Sequence, residues 1–179
     1  MKKIFVMAAM VLGVSAAYAG DSEPLKAITK SKTYAEAEAL LNSTLDQLAS
    51  PQEKAKAYNK LYELSMKDFE TVSAVIAENQ RAAVMKTEQQ AYDTAAYYNS
   101  AYNAVKAAVE CDKYDGQPDA KGKTKIAYRK DETRLQKLTQ ARLELVNGGQ
   151  WIDGKNDEAG LLKYWGLFLE SRNTHLFEA

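Results

Sequence analysis

Ser50-Pro51-Gln52-Glu53 is the stretch that decides the fold. Ser50 can accept a hydrogen bond from a first helical turn, Pro51 suits the first helical position, and Glu53 completes a capping box. A helix therefore starts here and another has just stopped. Upstream, Thr33 and Glu36 form a second capping box that opens a helix over 34–49. Its Tyr34, Ala37, Leu41, Leu45 and Leu48 share one face. Downstream, Ala55, Tyr58, Tyr62, Ser65, Phe69, Val72 and Ile76 recur at spacings of three and four, predicting a helix from Pro51 to about Gln80. The link is so short that the two helices are expected as an antiparallel hairpin.

The same reading extends along the chain. Proline occurs only at 24, 51 and 118, each where a helix should start or a loop should run. Strong helix formers dominate elsewhere, and no alternating β-branched run predicts a strand. A third helix is expected over 88–110 with Ala91, Ala95, Tyr98, Tyr102, Val105 and Val109 inward. A fourth covers 131–147 with Leu135, Leu138, Ala141, Leu145 and Val146 inward. A fifth covers 157–171 with Leu161, Leu162, Trp165, Phe168 and Leu169 inward. Residues 111–130, with two glycines, a proline and many charges, read as a long surface loop of the kind that is often functional. The expected class is all-α, built from antiparallel helical hairpins as a solenoid or small bundle in one domain over 20–179.

The first 19 residues read as a cleavable secretory signal. Lys2 and Lys3 form a basic start, Ile4–Val14 is an uncharged apolar run, and Ala17-Tyr18-Ala19 gives the small-x-small cleavage signature. The run is shorter than the ~20 residues of a membrane span. The mature protein is thus expected in the periplasm of a Gram-negative bacterium, without stable membrane insertion. Basic and acidic residues balance at 24 each. Losing Lys2 and Lys3 leaves 22 basic against 24 acidic, a formal charge of −2. No basic excess favours nucleic acid. Cys111 is the only cysteine and cannot close a disulfide within the chain. It reads as a half-buried thiol at a helix end, with an intermolecular disulfide as the alternative.

Gly148, Trp151, Gly160 and Tyr164 follow the small and aromatic offsets of a tetratricopeptide repeat, and 154–159 looks like the turn between its two helices. The segment 138–171 resembles that family, although Glu144 stands where tryptophan is usual and Arg172 where proline is usual. The resemblance implies a helical-repeat fold with Gly148, Trp151, Gly160, Tyr164 and Trp165 as packing residues. It also implies kinship with exported helical-repeat proteins, and a binding role rather than catalysis. The chain ends just past a helix without a polar cap, so a longer array or a self-associating end is expected.

Motifs for chemistry fail on spacing. Gly116 and Gly122-Lys123-Thr124 are separated by five residues where a phosphate-binding loop needs four. Calcium loops would begin at Asp112 or Asp153. The first has its glycine one place early, and the second has Glu158 where glycine belongs. One histidine, His175, cannot build a zinc site or a nucleophilic triad with Cys111. No metal or other cofactor is expected. The tyrosines are more suggestive: Tyr92, Tyr97, Tyr98 and Tyr102, with Asn99 and Asn103 between them, crowd one predicted helix. Rings beside amides suit a peptide or sugar ligand. The competing reading makes Tyr98 and Tyr102 core and the rest rim. The leading expectation is a periplasmic scaffold that binds a protein or peptide on this face. A holdase-type chaperone is second, although such chaperones tend to be basic, and a small hydrolase is third.

Overall fold

The computed structural model describes residues 20–152 and 155–177, with the side chains of 151, 152 and 171–177 left aside. The expected signal segment lies outside the described residues. The described residues are all-α apart from one two-residue antiparallel strand pair. In order come α1 (Glu23–Lys30), α2 (Tyr34–Thr44), a 3-10 turn (Leu45–Gln47), α3 (Pro51–Met85), α4 (Thr94–Tyr114), α5 (Glu132–Asn147), β1 (Trp151–Ile152), β2 (Lys155–Asn156) and α6 (Glu158–Phe177).

Both capping boxes form, with one difference. The hydroxyls of Thr33 and Ser50 accept from the N–H groups of Glu36 and Glu53. The two carboxylates reach back one residue further than a box requires, to the N–H groups of Lys32 and Ala49. Glu53 also accepts from the N–H and hydroxyl of Ser22, at 2.7 and 3.0 Å. That carboxylate thereby ties α3 to the start of α1. α1 was not expected, because Pro24 reads equally as a breaker. Here it stands in the first turn behind the Ser22 cap, and Leu25 and Ile28 are fully buried.

α3 and α4 form the spine. Phe69 meets Tyr97 and Tyr58 meets Tyr114, so the two helices run antiparallel. α4 starts six residues later than expected because Asp93 caps it, accepting from the N–H groups of Ala95 and Ala96. The segment before it is clamped to α3, where the Asn79 amide exchanges two hydrogen bonds of 2.7 Å with the backbone of Gln90. The expected inward stripe of α4 is also rotated. Ala91, Ala95 and Val109 are exposed, and the buried set is Tyr97, Ser100, Ala101, Ala104, Val105, Ala107, Ala108 and Cys111. α4 lies between α3 and α5, and its alanines let both neighbours approach closely. In α5 four of the five expected inward residues, Leu135, Leu138, Ala141 and Leu145, are buried, whereas Val146 is half-buried. In α6 Tyr164 and Phe168 are buried, whereas Leu162, Trp165 and Leu169 face outward. Cys111 is fully buried inside α4 rather than half-buried at a helix end.

Candidate functional site

The segment expected as a loop over 111–130 begins later, because α4 continues to Tyr114. The rest is held by one buried carboxylate. Asp115 accepts from the N–H groups of Ala127, Tyr128 and Arg129 at 2.8, 3.0 and 2.9 Å. This folds the connection back and lays Ala127 and Tyr128 beside α3. A cleft of about 340 Å³ opens between this connection, α3 and the start of α5, lined by Asn59, Tyr62, Glu63, Tyr128, Thr133, Arg134 and Lys137 among others. A second cleft, of about 240 Å³, lies beyond Ala127 and Tyr128 against Gln52, Lys56 and Tyr114.

The first cleft carries mixed polarity. Asn59 donates to Glu63 at 2.8 Å, while its Oδ1 is buried without a partner. Lys137 pairs with Glu70 at 2.7 Å. Arg134 is buried in the wall with its guanidinium 5.1 Å above the Tyr62 ring. It donates to Asp112 at 3.0 Å and to the Ala108 carbonyl at 3.3 Å, and its Nε is buried without a partner. Burial is the largest single influence on the Arg134 pKa and pulls it down, but the Asp112 carboxylate together with the neighbouring Cys111 and Tyr164 outweighs it and the net shift is upward. Burial likewise holds the Tyr62 hydroxyl above its usual range. Burial pushes the Tyr128 hydroxyl up to about 12.

Behind Arg134 the network continues into α6. Asp112 also accepts from the Tyr164 hydroxyl at 2.6 Å. The Arg142 guanidinium pairs with Asp157 and lies 4.6 Å above the Tyr164 ring. Two buried guanidiniums thus join α4, α5 and α6. Cys111, beside them, is a neutral thiol, its pKa pushed by burial up to about 12. No group of histidine, cysteine and acidic residues among the described residues is arranged to hold a metal ion.

No family model, curated protein or solved structure matches the chain.

The six residues expected as a binding face occupy different environments. Tyr97 is buried, stacks on Phe69 at 5.1 Å and meets Tyr98 edge-on at 5.2 Å. Tyr98 and Tyr102 are half-buried and pack on the core, and Asn103 is half-buried. Only Tyr92 and Asn99 are exposed. The repeat-packing set is similarly divided. Gly148 ends α5, with the Tyr98 ring where a Cβ would stand. Trp151 lies in β1. Gly160 opens α6 against Arg142 and Asp157. Tyr164 is buried in the network, whereas Trp165, expected between helices, is 48% exposed. Arg134, Arg142, Asp112 and Asp115 were not anticipated. Arginines read as solvent-facing in a helical pattern, and only their positions 134 and 142, in line with Leu135, Leu138 and Leu145, could have signalled burial.

Proposed function

We propose that this protein is an exported, periplasmic helical scaffold that binds a segment of another protein or a peptide and performs no catalysis. The observation that carries the reading is the mixed donor and acceptor cleft between α3 and the connection pinned by Asp115. It is open and adjoins a second cleft across Ala127 and Tyr128. A backbone segment offers alternating N–H and C=O groups that suit such a surface. The amide and hydroxyl groups of Asn59, Thr133 and Tyr128, with Lys137 and Glu63, supply the complement. The proposed binding surface moves from the tyrosine face to this cleft, because Tyr97, Tyr98 and Tyr102 are engaged in packing. Kinship with tetratricopeptide repeats extends, as part of the proposal, only to the α5–α6 hairpin.

The export part rests on the basic, apolar and small-residue pattern of residues 1–19. No helix among the described residues is long and apolar enough to cross a membrane.

A second reading, a holdase for unfolded exported proteins, is favoured by Val84 and Met85, which are 84% and 73% exposed at the tip of the α3–α4 hairpin. Site-directed photo-crosslinking in the periplasm separates the two. Benzoylphenylalanine would replace Glu63 or Thr133 in the cleft, and Tyr92 or Asn99 on the other face. Discrete adducts from 63 and 133 are expected. A smear of adducts from all four positions would favour the holdase, and no adduct anywhere would overturn both.

A further inference from the structure

The connection between α4 and α5 concentrates positive charge in a chain that otherwise carries the opposite sign. Lys121, Lys123, Lys125, Arg129 and Lys130 fall within ten residues of one another, and all five are exposed. Asp119 is the one acid between Gly116 and Lys130. Outside that stretch, the chain from Gly20 onward has 17 basic residues against 23 acidic. Lys121, Lys123 and Lys125 form no ion pair among the described residues. A block of like charge with so little local compensation is a surface for an anionic partner.

The block is also held in shape. Asp119 accepts from the N–H groups of Lys121 and Lys123, both at 2.8 Å, and its own N–H donates to the Lys123 carbonyl at 2.9 Å. Gly122, at φ +72°, makes this turn. The Asp119 carboxylate is thus turned to the backbone and not to an ammonium group. Nearer the helices, Ile126 and Arg129 lie against Gly116, and Asp115 holds the backbone of 127–129. The cations therefore sit on an ordered loop, which loses little chain entropy when a surface meets it. Ile126 decides the kind of surface. It is 39% exposed in the middle of the cations. A soluble polyanion offers it nothing. A bilayer offers phosphate headgroups to the lysines and, just beneath them, a medium that favours an aliphatic side chain. The acidic remainder of the chain is repelled by the same surface, which orients the molecule loop first.

We propose that the 119–130 loop docks on the surface of a bilayer rich in anionic phospholipid, with Lys121, Lys123 and Lys125 among the headgroups and Ile126 at their inner edge. Ala127 and Tyr128 of the same loop line both clefts, so docking holds the candidate binding site beside the bilayer. This goes beyond the cleft reading and does not require that the cleft be filled.

The test is co-sedimentation of the full chain, purified as an exporting host processes it, with lipid vesicles. Vesicles of phosphatidylcholine mixed equally with phosphatidylglycerol are expected to carry the protein down at low salt and to release it at high salt. Phosphatidylcholine alone should leave it in solution. Lys121→Gln combined with Lys123→Gln removes two headgroup contacts and weakens binding about thirtyfold. Lys67→Gln with Lys106→Gln, exposed on α3 and α4, changes the net charge equally and should weaken binding by less than about threefold. Ile126→Ser should weaken vesicle binding about fivefold and leave retention on heparin unchanged. Melting curves establish that each variant is folded. No binding to the mixed vesicles overturns the proposal. Equal weakening by the two lysine pairs reveals a net-charge effect and also overturns it. Vesicle binding indifferent to Ile126→Ser, with tight binding to heparin, assigns the loop to a soluble polyanion and overturns the bilayer.

Discussion

Asp112→Ala is the substitution that most directly tests how the C-terminal half is held. The carboxylate has two partners, the Arg134 guanidinium at 3.0 Å and the Tyr164 hydroxyl at 2.6 Å. Arg134 is 4% exposed, so removing its counter-charge leaves a cation that water cannot reach. Breaking one side of a buried ion pair costs about 3–5 kcal/mol. Asp112 itself keeps 23% of its side-chain exposure, which places this case near the lower end, about 3 kcal/mol. For a chain of this size that corresponds to a fall of roughly 6–12 °C in Tm. Urea denaturation followed by far-UV circular dichroism measures it. The decisive comparison is Asp112→Ala combined with Arg134→Met, which removes the stranded charge and keeps the volume beside Tyr62. The double variant is expected to recover more than half of the loss. A single-variant cost below about 1 kcal/mol would refute the reasoning. Equal losses in single and double variants would show that Asp112 does not act by compensating Arg134.

Four further outcomes follow from particular contacts. Stability is expected to fall as pH rises from about 9 to about 12. Burial raises Cys111, Tyr97 and Tyr128 to about 12, so the folded state holds protons that the unfolded chain has already released. Melting temperatures across that range check the sign, and a level profile from pH 9 to 11 would contradict it. Cys111, fully buried and protonated, should react with a thiol reagent only as fast as the protein opens. Full labelling in urea and near-zero labelling without it is the expected contrast. Asp115→Ala removes the acceptor of three backbone N–H groups. It should cost about 2 kcal/mol and release the amides of 127–129 to rapid hydrogen exchange, with α3 and α4 unchanged. Gly148→Ala drives a methyl into the Tyr98 ring and should lose about 1–3 kcal/mol.

Most of the fold was legible wherever local chemistry and period agree. Ser50, Pro51 and Glu53 marked the start of α3 to the residue, and Leu135, Leu138, Ala141 and Leu145 marked the inner face of α5. The misreadings share a physical cause. Pro24 both breaks and begins helices, and only the tie from Ser22 to Glu53, 31 residues away, decides that it begins one. In α4 a stripe chosen by side-chain size selects Tyr98, Tyr102 and Val109. A helix gripped from two sides instead buries its smallest residues, and period alone does not report how many neighbours a helix has.

The candidate site was less legible because it is made of charges whose partners lie far apart in sequence. Asp112 finds Arg134 22 residues on and Tyr164 52 residues on. Arg142 finds Asp157. Each of the charged side chains among these, taken alone, reads as a solvated surface, and only Tyr164 is expected to pack. Their burial goes with the orientation of α6, which turns Leu162, Trp165 and Leu169 outward and packs Tyr164 and Phe168, with the half-buried Leu167, against the core. The gap between the three helices is filled by guanidiniums stacked on tyrosine rings, which bury flat, weakly hydrated surface while keeping fixed polar partners. Such contacts have one geometry, whereas an aliphatic filling would tolerate several. The network therefore sets the register of α5 and α6 against α4, and through Arg134 it fixes one wall of the cleft. The outward row on α6 and the inward charges beneath it are two sides of one arrangement. A helix that keeps its large apolar residues for the outside has to be anchored inside by something else.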